Sequence, residues 1–191
     1  ASAKRRFDML GVVAATQLGD FPRALEIAGT IGASFDGDLF ALYQGALAYA
    51  RLRSGDRPGA RRELMSLADA PEDREALADP TVARSAVAVY ASYVEAGEGE
   101  GAKVMLDSLL AVLPVERAEV RSRVLHLADS AGAVADTRLK LGEGFQLYSG
   151  ALFRDALRFF QAADKRTDLD QDQRLIVKEL LAGALYSFQR V

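Results

Sequence analysis

The chain has no cysteine, no tryptophan, a single histidine and no long apolar run. Without cysteine it has no disulfide framework, no thiolate nucleophile and no cysteine-ligated metal, and both the cytoplasm and a periplasm remain open as its compartment. No stretch approaches the roughly 20 apolar residues that span a bilayer, so we expect no direct membrane insertion. The net charge of −3, from 24 basic and 27 acidic residues, gives no general attraction to nucleic acid.

What the chain does contain is helix-forming residues. Half of its 191 residues are hydrophobic. Alanine and leucine dominate and β-branched residues are sparse, and both dominant types lose little side-chain entropy in a helix. The composition therefore predicts an all-α protein. Arginine outnumbers lysine 19 to 5, which we interpret as the bias of a GC-rich bacterial genome.

A helix-turn-helix pattern recurs along the sequence. In the clearest copy, residues 142–166, Gly144 and Leu147 precede a turn at Gly150–Ala151 and a second helix. Equivalent turn glycines stand earlier in the chain, at Gly19, Gly55 and Gly97. Self-similarity at roughly 30 to 45 residues is typical of a solenoid, in which each repeat buries its apolar face against its neighbour.

Apolar periodicity and turn residues predict about ten or eleven helices. In the first helix an apolar stripe falls on one face, formed by Phe7, Leu10, Gly11, Ala14 and Leu18. Pro22 and Pro58 stand in the first turns of the two helices that follow Gly19 and Gly55, where a missing N–H costs nothing. The loop Asp36-Gly37-Asp38 caps the next helix, and Pro71 blocks continuation of another.

Two further boundaries are predicted in the second half of the chain. Thr81 is the expected N-cap of a helix over Val82–Glu95. Ala131-Gly132 is expected to separate a helix over Glu116–Ser130 from one that runs on to Ser149. The last helix, from Gln171 to Val191, has no following partner in the pattern, so we expect it to expose an apolar face.

These helix pairs resemble tetratricopeptide repeats. The best-fitting copy carries the family's alternation of small and bulky residues at Gly144, Leu147, Phe153, Ala156, Phe160 and Ala163. A second good copy has Tyr90, Tyr93, Gly97, Ala102, Leu106, Leu109 and Pro114. The resemblance implies a right-handed α-solenoid of antiparallel helix pairs, which we expect as a single domain over residues 1–191, with a segment of a longer protein left open. The helix at Glu116–Ser130 has no place in the scheme and no copy has a tryptophan, so HEAT-like pairs stay open as well.

The resemblance also implies a binding groove. In that family the first helix of each pair lines a concave surface that takes an extended peptide or a helix. Carried over by position, the groove residues are Arg6, Thr16, Gln17, Tyr49, Arg53, Arg84, Glu95, Arg138, Phe145 and Tyr148. Arginine interleaved with aromatic residues suits a peptide that bears carboxylates, because guanidinium groups bind carboxylates in a bidentate way.

Other candidate sites favour structural interpretations. His126 has no nucleophile motif around it, and the segment Leu141–Phe145 lacks the Gly-Lys-Ser/Thr of a phosphate loop. Asp164, Asp168, Asp170 and Asp172 lack the spacing of an EF-hand. An arginine cluster surrounds one turn, at Arg51, Arg53, Arg57, Arg61 and Arg62. We interpret it as a solvated, partly ion-paired edge rather than a phosphate-binding patch.

The sequence thus favours a non-enzymatic scaffold without metal or cofactor. Its groove would recruit an acidic peptide or helix into a bacterial assembly for secretion, the envelope, motility or pili. One alternative is self-association through the last helix, at Leu181, Leu185 and Phe188. Another is that the chain is the helical accessory part of a larger enzyme. The residues do not select the partner or the pathway.

Overall fold

The computed structural model describes residues 3–31, 39–70 and 74–189, and most of these residues lie in helices. The nine α-helices in that part of the chain are α1 (Ala3–Gln17), α2 (Phe21–Gly29), α3 (Phe40–Arg53), α4 (Arg57–Asp69), α5 (Pro80–Glu95), α6 (Gly99–Ala111), α7 (Ala118–Ser149), α8 (Phe153–Ala163) and α9 (Gln171–Phe188). Short 3₁₀ helices lie at Ala76–Ala78 and Val115–Arg117. The described residues form no strand, so the all-α prediction is confirmed. The predicted loop at Asp36-Gly37-Asp38 and the stop at Pro71 lie outside the described residues.

Four helix-to-helix turns have the same length and the same backbone geometry. Each leaves three residues between two helices, after α1, α3, α5 and α7. In each, one residue is left-handed, with φ of 79° at Gly19, 87° at Gly55, 78° at Gly97 and 58° at Ala151. The next N–H then donates to the carbonyl five residues back, at 2.8–2.9 Å. This is the Schellman arrangement, which ends a helix and reverses the chain. The predicted turns are confirmed at all four places.

Aspartates begin the helices that follow two of these turns. The Asp20 carboxylate accepts a hydrogen bond from the Arg23 N–H at 3.1 Å, and the Asp56 carboxylate accepts one from the Gly59 N–H at 2.9 Å. The prediction that Thr81 is the N-cap of α5 is wrong. Helix α5 begins at Pro80, and the capping oxygen belongs to Asp79, which accepts from the Thr81 N–H at 2.7 Å. Proline fits the first helical position because its φ is already helical.

Helix α7 is one helix where the sequence predicts two. The expected break at Ala131-Gly132 is wrong, because α7 runs through it without a left-handed residue. A glycine inside a helix costs only about 1 kcal/mol, which packing can offset. Here the glycine makes room for an aromatic ring, since a Cβ on Gly132 would lie 3.1 Å from Cε1 of Tyr90.

The chain folds as two compact units, Ala1–Ala133 and Val134–Val191. In unit 1, α1 packs on α2, α3 on α4 and α5 on α6. Helix α3 also packs against both α1 and α5, and α4 packs against α6. Its larger core lies among α3 to α7, with Leu64, Leu67, Val82, Val89 and Met105 fully buried.

In unit 2 the helices α8 and α9 pack against each other and against the second half of α7. The core consists of Leu141, Ala156, Phe160 and Val177 with their neighbours. Helix α9 is thus covered on the side that meets α8, while an exposed apolar face of the kind expected for the last helix remains, with Leu175 54% exposed. Leu181, predicted on an exposed oligomerisation face, packs against this core, whereas Leu185 and Phe188 remain 40% and 42% exposed.

The apolar stripe of α1 faces the opposite way from what its periodicity suggests. Phe7 is 77% exposed and Leu18 is 85% exposed, while Met9 and Val12 are buried. Both faces of this helix carry apolar residues. Periodicity alone cannot tell which of two apolar faces is buried, because that depends on the neighbouring helices.

The fourth turn generates a stability prediction. Ala151 adopts a left-handed conformation that favours glycine, and its Cβ makes that conformation costly by about 1 kcal/mol. We expect Ala151→Gly to raise the free energy of unfolding by about 0.5–1 kcal/mol, measured by urea denaturation. The matched control is Ala182→Gly at an exposed site inside α9, which should lower it by about 1 kcal/mol. Equal losses in the two variants would contradict the prediction.

Candidate functional site

The candidate site lies where the first helices of three pairs run side by side in unit 1. Helix α3 stands between α1 and α5. The Thr16 hydroxyl of α1 donates to the Ala46 carbonyl of α3 at 3.4 Å. On the other side, Gly45 allows α5 to approach, because a Cβ there would lie 2.9 Å from both Cα and Cγ2 of Val82. A hydrogen bond from Thr16 thus links α1 to α3, and the absence of a side chain at Gly45 lets α5 pack close to α3.

A cavity of about 470 Å³ opens between these helices. Its lining comes from α1, α3 and α5, with Thr16, Gln17, Tyr49, Thr81, Arg84, Ser85 and Ala88. The sequence placed four of these in the groove, namely Thr16, Gln17, Tyr49 and Arg84. The other three were missed, although Thr81 and Ala88 lie three and four residues from Arg84 on α5, and Ser85 lies four residues after Thr81.

The lining is polar and carries one charge. Arg84 is an exposed cation, and the described lining residues include no carboxylate. The Thr16 hydroxyl donates to Ala46 and the Ser85 hydroxyl donates to the Thr81 carbonyl at 2.8 Å. Since each hydroxyl has one proton, both present their remaining capacity as acceptors. Arg84 is the charged donor of the lining, and the side chains of Gln17, Tyr49 and Thr81 carry neutral donors.

Tyr49 is held by an aromatic contact that the sequence did not reveal. Its ring lies 6.0 Å from that of Phe21 in an edge-on arrangement, at an interplanar angle of 69°. The guanidinium carbon of Arg53, one turn further along α3, lies 5.8 Å from the centre of the Phe21 ring. Phe21 thus supports two of the predicted groove residues from the start of α2.

The remaining predicted groove residues do not line this cavity. In unit 1, Arg6 lies exposed on α1 and Glu95 lies exposed at the end of α5. In unit 2, Arg138 and Phe145 lie exposed on α7. Tyr148 packs inside unit 2, where its ring lies 5.7 Å from that of Phe153 and its hydroxyl would meet a Cβ on Gly183 at 2.8 Å.

The arginine cluster in unit 1 is largely engaged with its neighbours. Arg51 bonds to Glu63 at 2.8 Å and to Asp56 at 3.0 Å. The guanidinium carbons of Arg57 and Arg61 lie 5.4 and 5.8 Å from the centre of the Tyr93 ring. These distances agree with an ion-paired and stacked edge.

Two other sequence features have structural roles in unit 2. Asp168 pairs with Arg166 at 2.7 Å, and this hydrogen bond lowers the pKa of its carboxyl to about 2. Asp170 begins α9 by accepting from the Gln173 N–H at 2.8 Å. Gly144 lies inside α7, where a Cβ would meet the Phe159 ring at 2.5 Å. The acidic cluster is thus partly ion-paired and partly a helix cap, and the glycine allows close packing.

A second cavity, of about 620 Å³, lies on the other side of α3 in unit 1. Gln44 donates to the Ser66 hydroxyl at 2.8 Å, and Ser66 in turn donates to the Glu63 carbonyl at 2.7 Å. The Gln44 side-chain oxygen is buried without a donor among the described residues. Burial also raises the pKa of the Tyr43 phenol to about 12, with the Glu63 carboxylate adding to the shift. This cavity was not foreseen, because no motif marks it.

The side chains offer no evident metal site in the same part of the chain. The described residues contain no group of three or more histidine and acidic side chains placed to hold a metal ion. Within them, no helix combines the length and the apolar character needed to cross a membrane. His126, the single histidine, lies exposed on α7.

We compared the chain with known proteins to look for relatives. No protein-family model, curated protein or solved structure matches the chain. The resemblance to tetratricopeptide repeats therefore stays a prediction from the residues. A function has to be argued from the packing, charge and exposure of this chain's own side chains.

The close approach of α3 and α5 can be tested at Gly45. A methyl group there would press on the Val82 backbone, so we expect Gly45→Ala to lower the free energy of unfolding by about 2 kcal/mol. Gly29→Ala in α2 is the control, because nothing lies within 4 Å of its added Cβ. Chemical denaturation of both variants would check this, and similar stabilities for the two would contradict the close approach.

The raised pKa of Tyr43 predicts a loss of stability at high pH. The unfolded chain releases this proton near pH 10 and the folded chain near pH 12, so the stabilising contribution is complete below about pH 10. It falls as the pH rises from about 10 to about 12. We expect urea denaturation at about pH 9 and about pH 11.5 to show a larger difference for the wild type than for Tyr43→Phe. Equal differences would contradict the burial of this phenol.

Proposed function

We propose that unit 1 is a helical-repeat module of the tetratricopeptide type, with α1/α2, α3/α4 and α5/α6 as three successive pairs in a right-handed superhelix. Three observations support this. The pairs share one turn geometry, their first helices pack side by side, and the second helices α4 and α6 also pack together. A repeat protein buries its core through such packing between neighbouring units.

We further propose that this module is a non-enzymatic scaffold that binds a peptide segment or helix of a partner protein. The observation that carries the proposal is the 470 Å³ cavity to which the first helix of each pair contributes, at Gln17, Tyr49 and Arg84. Its volume falls within the range of protein sites that accept ligand groups, roughly 300–1,000 Å³. Recruitment within a bacterial multiprotein assembly is the setting we propose.

The charge of the lining favours an acidic peptide. Arg84 faces no carboxylate among the described lining residues, so an anionic group of a ligand would be its natural counterion. Arg53 offers a second guanidinium further along α3, beside the Phe21–Tyr49 pair. Together they suit a peptide with carboxylates near an apolar or aromatic residue, the latter resting against Tyr49.

The ligand class can be tested with displayed peptides. Two pools of equal length, one rich in Asp and Glu and the other rich in Lys and Arg, would be selected against the whole chain. We expect enrichment from the acidic pool only, because the cavity carries a positive charge. Enrichment from the basic pool alone, or from neither pool, would contradict the proposal.

The site can then be tested by charge reversal, with fluorescence anisotropy of an enriched acidic peptide. We expect Arg84→Glu to weaken binding by about tenfold or more, and Arg53→Glu by a smaller factor, because each replaces attraction by repulsion. Arg123→Glu makes the same charge change at an exposed position of α7 in unit 1 and should leave the affinity within about twofold. Unchanged affinity in both groove variants would place the site elsewhere.

A further inference from the structure

The 620 Å³ cavity of unit 1 is separate from the proposed peptide groove. It lies between α2, α3 and α4, and none of its lining residues also lines the 470 Å³ cavity. Helix α2 has 9 residues, whereas α4 and α6, the second helices of the next two pairs, have 13 each. The lining includes Ala28 and Gly29 from the last turn of α2, so the cavity lies where this short helix ends.

Part of the lining is apolar. Leu25 of α2 and Leu47 of α3 contribute to it, together with Ile31 and Phe40. Leu47 is buried, and the other three are partly buried and pack against the hydrophobic core of unit 1. Ligand sites of roughly 300–1,000 Å³ are lined mainly by such side chains, with a few polar groups that orient the ligand. The cavity therefore suits a ligand with an apolar body.

The charged part of the lining is an ion pair. Arg51 Nε bonds to a Glu63 carboxylate oxygen at 2.8 Å, and the two side chains are 32% and 19% exposed. Because each of these charges is already compensated, a charged ligand group would be repelled by one partner and would compete with the pair for the other. The ion pair thus favours a neutral ligand.

The Gln44 amide adds a requirement for a hydrogen-bond donor. Ser66 has one hydroxyl proton and donates it to the Glu63 carbonyl at 2.7 Å, so Ser66 can only accept from Gln44. The NH₂ group of Gln44 therefore faces Ser66, at 2.8 Å, and the amide oxygen is left for another donor. That oxygen is buried and accepts from no donor among the described residues. A buried acceptor without a donor is destabilising, so a donor that reaches it gains binding energy.

The end of α2 favours the same kind of ligand group. The last carbonyls of a helix carry a partial negative charge, which attracts hydrogen-bond donors. Helix α2 ends at Gly29, which borders the cavity beside Ala28. The helix end and the Gln44 amide thus both favour a ligand with an N–H or O–H group.

We propose that the 620 Å³ cavity binds a small neutral molecule that has an apolar body and a single N–H or O–H donor. The apolar body packs against Leu25, Ile31 and Leu47, and the donor bonds to the Gln44 oxygen. A neutral donor suits a buried oxygen, because its removal from water costs far less than that of an ammonium group. This inference does not rest on the peptide-binding function, since the two cavities share no residue.

Two probes with nearly the same body test the donor requirement. Indole has an N–H donor, and N-methylindole lacks it. In NMR titrations of the isotope-labelled full chain, we expect indole to bind with a dissociation constant on the order of 0.1–1 mM. N-methylindole should bind about fivefold more weakly, because it leaves the Gln44 oxygen without a donor. Equal affinities, or no binding of indole, would overturn the proposal.

The same titrations locate the site. Backbone amide signals should shift at residues that line the 620 Å³ cavity, such as Leu25, Gln44 and Ser66. The signals of Gln17 and Arg84, which line the 470 Å³ cavity, should stay in place. Shifts confined to residues outside the 620 Å³ cavity would overturn the assignment, whatever the affinity of the probe.

The role of the Gln44 oxygen is tested by Gln44→Met, which keeps the length of the side chain and removes the amide. We expect the preference for indole over N-methylindole to fall from about fivefold to within about twofold. Gln161→Met makes the same change at an exposed position of α8 and should keep the full preference. An undiminished preference in Gln44→Met would show that the oxygen does not select the ligand and would overturn the proposal.

A filling variant tests the cavity without a change at Gln44. Ala28→Phe places a ring at a partly exposed position of the lining and should weaken indole binding by about tenfold or more, because the ring takes up the ligand's space. Ala162→Phe adds the same ring at an exposed position of α8 and should bind indole like the wild type. Thermal denaturation checks that both variants fold. A folded Ala28→Phe chain with wild-type affinity would overturn the proposal.

Discussion

Most of unit 1 depends on one backbone constraint, the left-handed residue that closes the first helix of each pair. Gly19, Gly55 and Gly97 each adopt a positive φ, and the following N–H bonds to the carbonyl five residues back. Because every such turn has the same length, each chain reversal occurs in the same way. The first helices can therefore lie next to one another, and a repeated local geometry becomes a row of parallel elements.

The candidate site is a consequence of that row. A cavity shared by α1, α3 and α5 can form only if the helices approach closely, and the approach depends on small residues such as Gly45. The polar lining then depends on which turns of each helix face the gap. Arg84 is the charged group in it, and Tyr49 is held in place by Phe21. Packing between helix pairs and the polar lining of the cavity thus involve neighbouring turns of the same helices.

Sequence reasoning succeeded where the determinant is local. Turn glycines and helix-opening prolines follow from residue type and spacing within one helix pair. It failed where the determinant lies on another helix. Gly132 was expected to break a helix, because glycine is a poor helix former. The helix continues because the Tyr90 ring fills the space beside Gly132, and Tyr90 lies 42 residues away in sequence. Leu181 was expected on an exposed face, because the packing of α9 against α8 leaves no local signal in the sequence.

The amino-acid sequence by itself determined the helical class, the places where the chain reverses and the absence of cysteine chemistry. Each of these follows from residue type and short-range spacing, which act through backbone dihedrals and side-chain entropy. Only the tertiary structure decided which of the two apolar faces of α1 is buried, and which predicted groove residues share one cavity. Burial depends on the neighbours that a face meets, and a helix with apolar residues on both faces contains no local information about that choice.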